Sequence, residues 1–289
     1  IDTRGKKVLR ALPRINEEIN EEWISDKSRF AIDGLSRQRL DSVYKKLNGK
    51  LQKSNWDNAF SLIHDQIIKR GKQNSVFLSG KFTDAETLFS AKKFSEALKS
   101  FYYDCRFDNA QFIENSNESF KFNSTIQEIE NSDAILLIGT NPRWEAAVLN
   151  ARIRKTFLEN NCQIGVIGPK VNQTYRYNHL SDSLNYLNEL SDGNTDFNKV
   201  LNNAKNPLII IGTSAINTGD GKKILENSAA LAKKIQKNKN INPLNILYQD
   251  ISRVGALELN FYNKYFDNNY NLELKKHIDA NKPVVFLMG

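Results

Sequence analysis

The stretch that most constrains this chain is ILLIGTNPRWEAAVLNARIRK, residues 135–155. With Ala134 ahead of it, the run of four aliphatics reads as a strand, Ala134–Ile138, with both faces covered, as in a parallel sheet. Gly139 lets the chain turn sharply, and Pro142 sits where a helix can begin but not continue. A helix is therefore expected from about Trp144 to residue 160. A loop at the carboxyl end of such a strand is where open α/β sheets place ligands.

The same rhythm recurs along the chain. Short aliphatic runs at Val76–Leu78, Ile164–Ile167, Leu208–Ile211, Asn245–Tyr248 and Val284–Leu287 join Ala134–Ile138 to make six expected strands. Helical stretches separate several of them. Trp56, Phe60, Ile63 and Ile67 share one helical face that Gly71 ends. Thr83 and Glu86 have the spacing of a capping box for a helix to about Lys99, with Leu88, Ala91, Phe94 and Leu98 on its inner side. Another helix is expected near Lys222–Gln236. Strands alternating with helices point to an α/β fold with a doubly wound, mostly parallel sheet.

Residues 1–54 look different. Short strands are expected near Lys7–Leu12 after a Gly5 turn. Ile15, Ile19 and Trp23 alternate with Glu17, Glu18, Glu21 and Glu22 over at most a turn or two of helix. This irregular N-terminal segment is expected to wrap over another domain. Residues 55–289 form the α/β region, in which 55–130 stand either as a separate lobe or as outer helices of the same one. A less regular stretch is expected over 171–196.

No apolar run approaches the roughly 18 residues that a membrane span needs. The net charge is +8, and the first fifty residues hold twelve basic and eight acidic side chains. That excess suits a solvated surface or attachment to neighbouring subunits. It is spread out, with no helix-turn-helix, RNA-recognition motif or basic arm, so no nucleic-acid partner is expected. The two cysteines, Cys105 and Cys162, are too few for a four-thiolate cluster and lack a CxxC partner. Both read as reduced, buried structural thiols. The first residue is Ile1 and the only methionine is Met288, next to Gly289. The expectation is a fragment of a longer protein that continues in both directions.

Candidate sites are few. Gly139, Thr140, Asn141, Pro142 and Arg143 could cradle an anion on backbone N–H groups at the following helix start. Gly212-Thr213-Ser214 is a second loop at a strand's carboxyl end. Arg143, Arg152, Arg154 and Lys155 follow the first loop, and Arg152 and Arg154, two apart, point to different faces. Glu145 is explained by the helix dipole. Residues 218–223, TGDGKK, fail the P-loop pattern because Lys223 stands where a hydroxyl residue is needed. His64, His179 and His277 have no metal-ligand spacing. No nucleophile elbow or acid–base carboxylate pair stands out, so no catalytic and no metal-binding residue is expected.

Gly139–Arg143, with Trp144, Glu145-Ala146 and Asn150-Ala151-Arg152-Ile153-Arg154-Lys155, resembles the large iron–sulfur subunit of respiratory complex I, the NADH:quinone oxidoreductase. Leu12–Leu40, LPRINEEINEEWISDKSRFAIDGLSRQRL, resembles the segment after the iron–sulfur clusters in that subunit family. Weaker matches lie at Leu78–Glu86, Tyr175–Asp182, Ile211–Gly221 and Val284–Gly289. The resemblance implies a molybdopterin-oxidoreductase-like fold in which the 139–143 loop is vestigial and holds no cofactor. It implies iron–sulfur clusters in a missing upstream part, and a structural role for this fragment beside them. It implies other peripheral-arm subunits of complex I as partners, without direct membrane insertion. The place implied is the cytoplasmic side of a bacterial inner membrane or the mitochondrial matrix side. The alternatives are an active molybdopterin-dependent oxidoreductase lobe, with bound pterin, or a nucleotide-binding module. Arg10–Leu40 is the candidate contact with the rest of the subunit.

Overall fold

A computed structural model describes residues 1–193, 195–237, 241–263 and 270–289. Asn194, within the stretch expected to be irregular, lies outside the described residues.

The N-terminal segment is built from two antiparallel hairpins with little core of their own. β1 (Asp2–Arg4) turns through Gly5 into β2 (Lys7–Arg10). After α1 (Asp26–Phe30), β3 (Val43–Leu47) turns into β4 (Lys50–Ser54). Asn48 and Gly49 carry that second turn at φ 49° and 79°, the positive values a two-residue hairpin loop favours.

The α/β region runs through α2 (Trp56–Arg70), β5 (Ser75–Ser79), α3 (Ala85–Ala97), β6 (Tyr102–Asp104) and β7 (Ala134–Ile138). It continues with α4 (Pro142–Glu145), α5 (Ala147–Asn160), β8 (Gln163–Ile167), β9 (Asn178–Ser181), α6 (Tyr186–Ser191) and α7 (Asp196–Asn203). Then come β10 (Pro207–Gly212), α8 (Thr213–Ile216), α9 (Gly221–Ile235), β11 (Leu244–Leu247), α10 (Arg253–Glu258), α11 (Tyr270–Asn281) and β12 (Val284–Met288). The larger sheet has the order β11-β10-β7-β8-β9, all parallel. The smaller has the order β12-β5-β6, also parallel. The six expected strands thus divide four and two between sheets, and β6 and β9 are additional.

The larger sheet is covered on both faces. Leu136, Ile138, Ile209 and Ile211 pack against α6, α7 and α9. Ile135, Leu137, Leu208 and Ile210 pack against Leu149 and Ile153 of α5. Every residue of β7 is fully buried, and each such aliphatic side chain contributes roughly 1.5–3 kcal/mol.

Three local expectations change. Asp84, not Thr83, caps α3, accepting from the Thr87 N–H at 2.7 Å. The Thr83 hydroxyl instead donates to the Met288 carbonyl at 3.1 Å, tying the start of α3 to β12. The helix expected after Pro142 is two helices, broken at Ala146 where φ is −149°. On α2, only Ile67 is buried; Trp56 and Phe60 are 65% and 60% exposed. The apolar face is there, but among the described residues it is covered only at its Ile67 end.

The two sheets are joined by buried charge. Arg253, at the start of α10, is 2% exposed. Its Nη2 donates to Asp108 and Asp250, both at 2.9 Å. Lys81, after β5, adds a second cation to Asp250 at 3.2 Å. Asp104, at the end of β6, binds Arg106 and the Asn263 N–H. Cys105 is buried beside these groups, and its thiol is pushed up to about 12, mainly by burial. Such a cluster is strongly coupled: losing the guanidinium leaves carboxylates buried without their counter-charge. Arg253→Ala is therefore expected to lower stability by about 3–5 kcal/mol, read from urea unfolding. A change within about 0.5 kcal/mol, the ordinary range for surface substitutions, would show that the seam does not rest on it.

Candidate functional site

The loop after β7 is held by the loops beside it. Gly139 has φ +53°, a conformation that suits glycine. Its N–H donates to the Ile167 carbonyl at 2.8 Å, and its carbonyl accepts from the Ser214 hydroxyl. A Cβ on Gly139 would lie 2.7 Å from the Ala215 Cβ. A Cβ on Gly212 would lie 2.5 Å from the Gly139 carbonyl and 2.6 Å from the Thr140 Cβ. The carboxyl ends of β7 and β10 therefore abut directly, and β8 joins them through Ile167. Gly212-Thr213-Ser214 lines the same place as Gly139–Arg143.

The donors of this loop face inward. Thr140 is buried, and its hydroxyl donates to one Glu145 oxygen at 2.7 Å. The Asn141 N–H donates to the other at 3.1 Å. Glu145 thus does more than offset the helix dipole: it brings a carboxylate into the loop that could have received an external anion. Pro142 opens α4 and offers no N–H. Arg143 turns outward, donating to the Asn172 carbonyl at 3.1 Å and lying 5.8 Å from the Trp144 ring. These residues do not fit an anionic nucleotide group in the loop, because their hydroxyl and amide already serve a protein carboxylate.

The other candidates are structural in their contacts. Thr218 and Gly221 form a turn into α9, and a Cβ on Gly221 would meet the Ile216 carbonyl at 2.2 Å. His179 meets the Gly168 carbonyl at 3.0 Å, and His277 stacks on Tyr102. Among the described residues, no three His, Cys, Asp or Glu side chains converge as metal ligands. Cys162 is buried and its thiol is pushed up to about 12 by burial.

The more informative site lies on the next two turns of α5. Arg152 is 3% exposed. Its Nε donates to the Ile19 carbonyl at 3.1 Å, its Nη2 to the Glu17 carbonyl, and its Nη1 to the Glu130 carboxylate. Lys155 reaches Glu21 at 2.8 Å and Glu130 at 3.2 Å. Arg154 points elsewhere, to the Thr174 carbonyl. The Glu17–Glu22 turn is therefore not simply solvated: two carbonyls and one carboxylate clamp it onto α5. Glu130 was not foreseen; nothing in the local pattern marks it.

A parallel α/β sheet with glycine loops at its carboxyl ends defines a class of nucleotide-type folds. Residues 39–289 match the family model described as molybdopterin oxidoreductase, and the chain belongs to that family. Residues 1–33 match the model described as the NADH-ubiquinone oxidoreductase NDSU1/NuoG-like 4Fe-4S domain. The chain is 37% identical to the 75 kDa subunit of NADH-ubiquinone oxidoreductase of Reclinomonas americana, covering 100% of this chain and 43% of that protein. It is 38% identical to the mitochondrial 78 kDa subunit of Neurospora crassa, over 90% of this chain and 36% of that protein. It is 36% identical to the mitochondrial NADH dehydrogenase (ubiquinone) iron-sulfur protein 1 of Solanum tuberosum, over 90% and 35%. The resemblance read from Leu12–Leu40 and residues 135–155 is borne out. The chain spans less than half the length of these curated relatives.

Two outcomes follow from the geometry. Glu145→Ala would leave the buried Thr140 hydroxyl and the Asn141 N–H without their acceptor. The expected loss is about 1–3 kcal/mol in chemical unfolding; an unchanged midpoint would mean that the loop does not depend on its internal carboxylate. The clamp should also respond to pH. Glu21 is held below its ordinary 4.5 by the Lys155 hydrogen bond, and Lys155 above its ordinary 10.5 by Glu21 and then Glu130. The lowered carboxyl contributes stability above 4.5 that is lost as pH falls through its folded value. The raised ammonium contributes stability below 10.5 that is lost as pH rises through its folded value. Exchange of the Glu21 amide, bonded to the Asn16 carbonyl at 2.7 Å, should be most protected between those limits. After correction for intrinsic exchange, a protection profile that stays flat as pH falls well below 4.5 would contradict this.

Proposed function

We propose that this chain is a scaffold part of the large iron–sulfur subunit of an NADH:ubiquinone oxidoreductase, fixing its cluster-bearing region against an α/β body. The observation that carries this reading is the Arg152 clamp. The two carbonyls it binds, those of Glu17 and Ile19, lie within the residues similar to a 4Fe-4S domain. Residues 1–54 belong in this reading with the cluster domain, and 55–289 form the body they pack on. Residues 1–33 contain no cysteine, so the cluster ligands belong to the remainder of the subunit. The loop Gly139–Arg143 serves packing, with Glu145 as its internal anion.

Other peripheral-arm subunits would meet the outer side of the N-terminal segment, where Leu12, Ile15, Trp23, Phe30 and Leu40 are exposed. Within Arg10–Leu40, Arg37 is also exposed, its guanidinium 3.7 Å from the Asp33 carboxylate. No helix among the described residues is long and apolar enough to cross a membrane. The place proposed is peripheral, on the matrix side of the mitochondrial membrane or the cytoplasmic side of a bacterial one.

The test is Arg152→Ala in the complete subunit. It leaves the Glu17 and Ile19 carbonyls without their donor and Glu130 with Lys155 as its remaining cation, a cost of about 1–3 kcal/mol to the contact. Assembled subunit and its iron–sulfur paramagnetic signals should fall together, with Arg152→Lys recovering part of both. Full assembly and unaltered signals in Arg152→Ala would sink the clamp as the basis of the scaffold. Stoichiometric pterin or molybdenum in the wild-type subunit would instead favour an active oxidoreductase lobe.

A further inference from the structure

The β3–β4 hairpin is a cationic ribbon without counter-charge. Between Asp41 and Asp57 the chain carries four lysines, Lys45, Lys46, Lys50 and Lys53, and no acidic residue. Elsewhere Lys81, Lys93, Lys121, Lys155, Lys199 and Lys276 each pair with a carboxylate; among the described residues the hairpin lysines pair with none.

The strand register fixes which side chains share a face. Tyr44 lies opposite Lys53, and Lys46 opposite Leu51. Side chains alternate along each strand, so these four form one face, with the lysines on one diagonal and Tyr44 and Leu51 on the other. All four are exposed, Tyr44 by 44% and Leu51 by 73%. The opposite face is the covered one: Val43 and Lys45 are half-buried there, and β3 touches α2. Lys46 and Lys53, as diagonal neighbours, are roughly 7–8 Å apart at the backbone, and no carboxylate lies between them to offset their repulsion. A two-stranded hairpin is only marginally stable in water by itself. Lysines on sheet edges commonly block unwanted strand pairing. That role accounts for the charge, but not for the exposed Tyr44 and Leu51 interleaved with it. Apolar contact area flanked by charge is the arrangement of a recognition face.

We propose that this face of the hairpin docks a carboxylate-bearing segment of another subunit of the complex, with Asp or Glu side chains on Lys46 and Lys53 and an aliphatic group against Tyr44 and Leu51. The inference rests on the scaffold reading and specifies one contact of the N-terminal segment. Charge complementarity selects the occupant. A second copy of this chain, with net charge +8, would bring like charge to the face. Nucleic acid is disfavoured, because one tyrosine gives one stacking platform where single strands use several. Long-range attraction accelerates encounter between separate molecules. It gives little to a segment already attached, which favours another subunit over the rest of this polypeptide.

The experiment is zero-length carbodiimide cross-linking, which joins a lysine amine to a carboxylate, on the assembled complex holding the complete subunit. The linked peptides are identified by mass spectrometry. Links from Lys46 or Lys53 to an Asp or Glu of another subunit are expected. Links from them only to the same polypeptide or to a second copy, or no links at all, would overturn the proposal. Co-purification of the complete subunit with the complex reports on the scaffold reading by itself, so a failure at the hairpin is told apart from a failure of that reading. As a second measurement, Lys46→Glu with Lys53→Glu should slow association of the subunit with its partners by on the order of tenfold at low salt, with the difference shrinking as ionic strength rises. Lys50→Glu, on the opposite face, should slow it less. Wild-type rates in the double variant, or a slowing that salt does not change, would overturn the proposal.

Discussion

The guanidinium of Arg152 ties the Glu17–Glu21 turn to the α/β body. A buried arginine cannot shed its charge, so its donors must find oxygens in the protein. They find the Glu17 and Ile19 carbonyls of one turn and the Glu130 carboxylate, two segments more than a hundred residues apart in sequence. A lysine could not span them, because only the planar fork presents donors in several fixed directions at once. The N-terminal segment has almost no buried apolar side chains, so its conformation is borrowed from α5. Glu21 illustrates this: it sits at φ +51°, disfavoured for a glutamate, held by the Asn16 turn on one side and Lys155 on the other.

Protein groups likewise hold the loop after β7. Open parallel sheets place ligands at their carboxyl ends because loops splay apart there and helix starts present free N–H groups. Here the loops do not splay. Gly139, Gly212 and Ala215 touch, and Glu145 returns to the loop that precedes its own helix. The sheet below does not need a bound anion, since α5 on one face and α6, α7 and α9 on the other already bury it. Membership in a family does not by itself fix a site.

Much of the larger sheet was legible because its strands are buried on both faces and so appear as aliphatic runs. The polar strands β6 and β9 carry no such signal: Tyr102-Tyr103-Asp104 and Asn178–Ser181 are partly exposed. The β3–β4 hairpin carries a different signal, the Asn48-Gly49 pair of a two-residue turn. On α5, Leu149, Arg152, Ile153 and Thr156 form a single helical stripe, and all four are buried. An arginine within an otherwise inward stripe marks a buried ion pair, although it does not reveal that Glu130 completes it. In sequence Glu145 suggests only a response to the helix dipole, because the break at Ala146 that frees it to reach backward has no local signature.

β7 and β12 show where such reading stops. Both are five-residue apolar strands in parallel sheets. Every position of β7 is buried, whereas exposure alternates along β12. Their composition is nearly the same, so propensity does not separate them. The difference lies in neighbours: β7 has a strand on each side and helices above and below, while β12 has one strand and a partial cover. An apolar run specifies how much contact a strand requires, not which part of the polypeptide supplies it. The exposed Trp56 and Phe60 on the neighbouring helix follow from the same imbalance, since their face is apolar by sequence and uncovered in space.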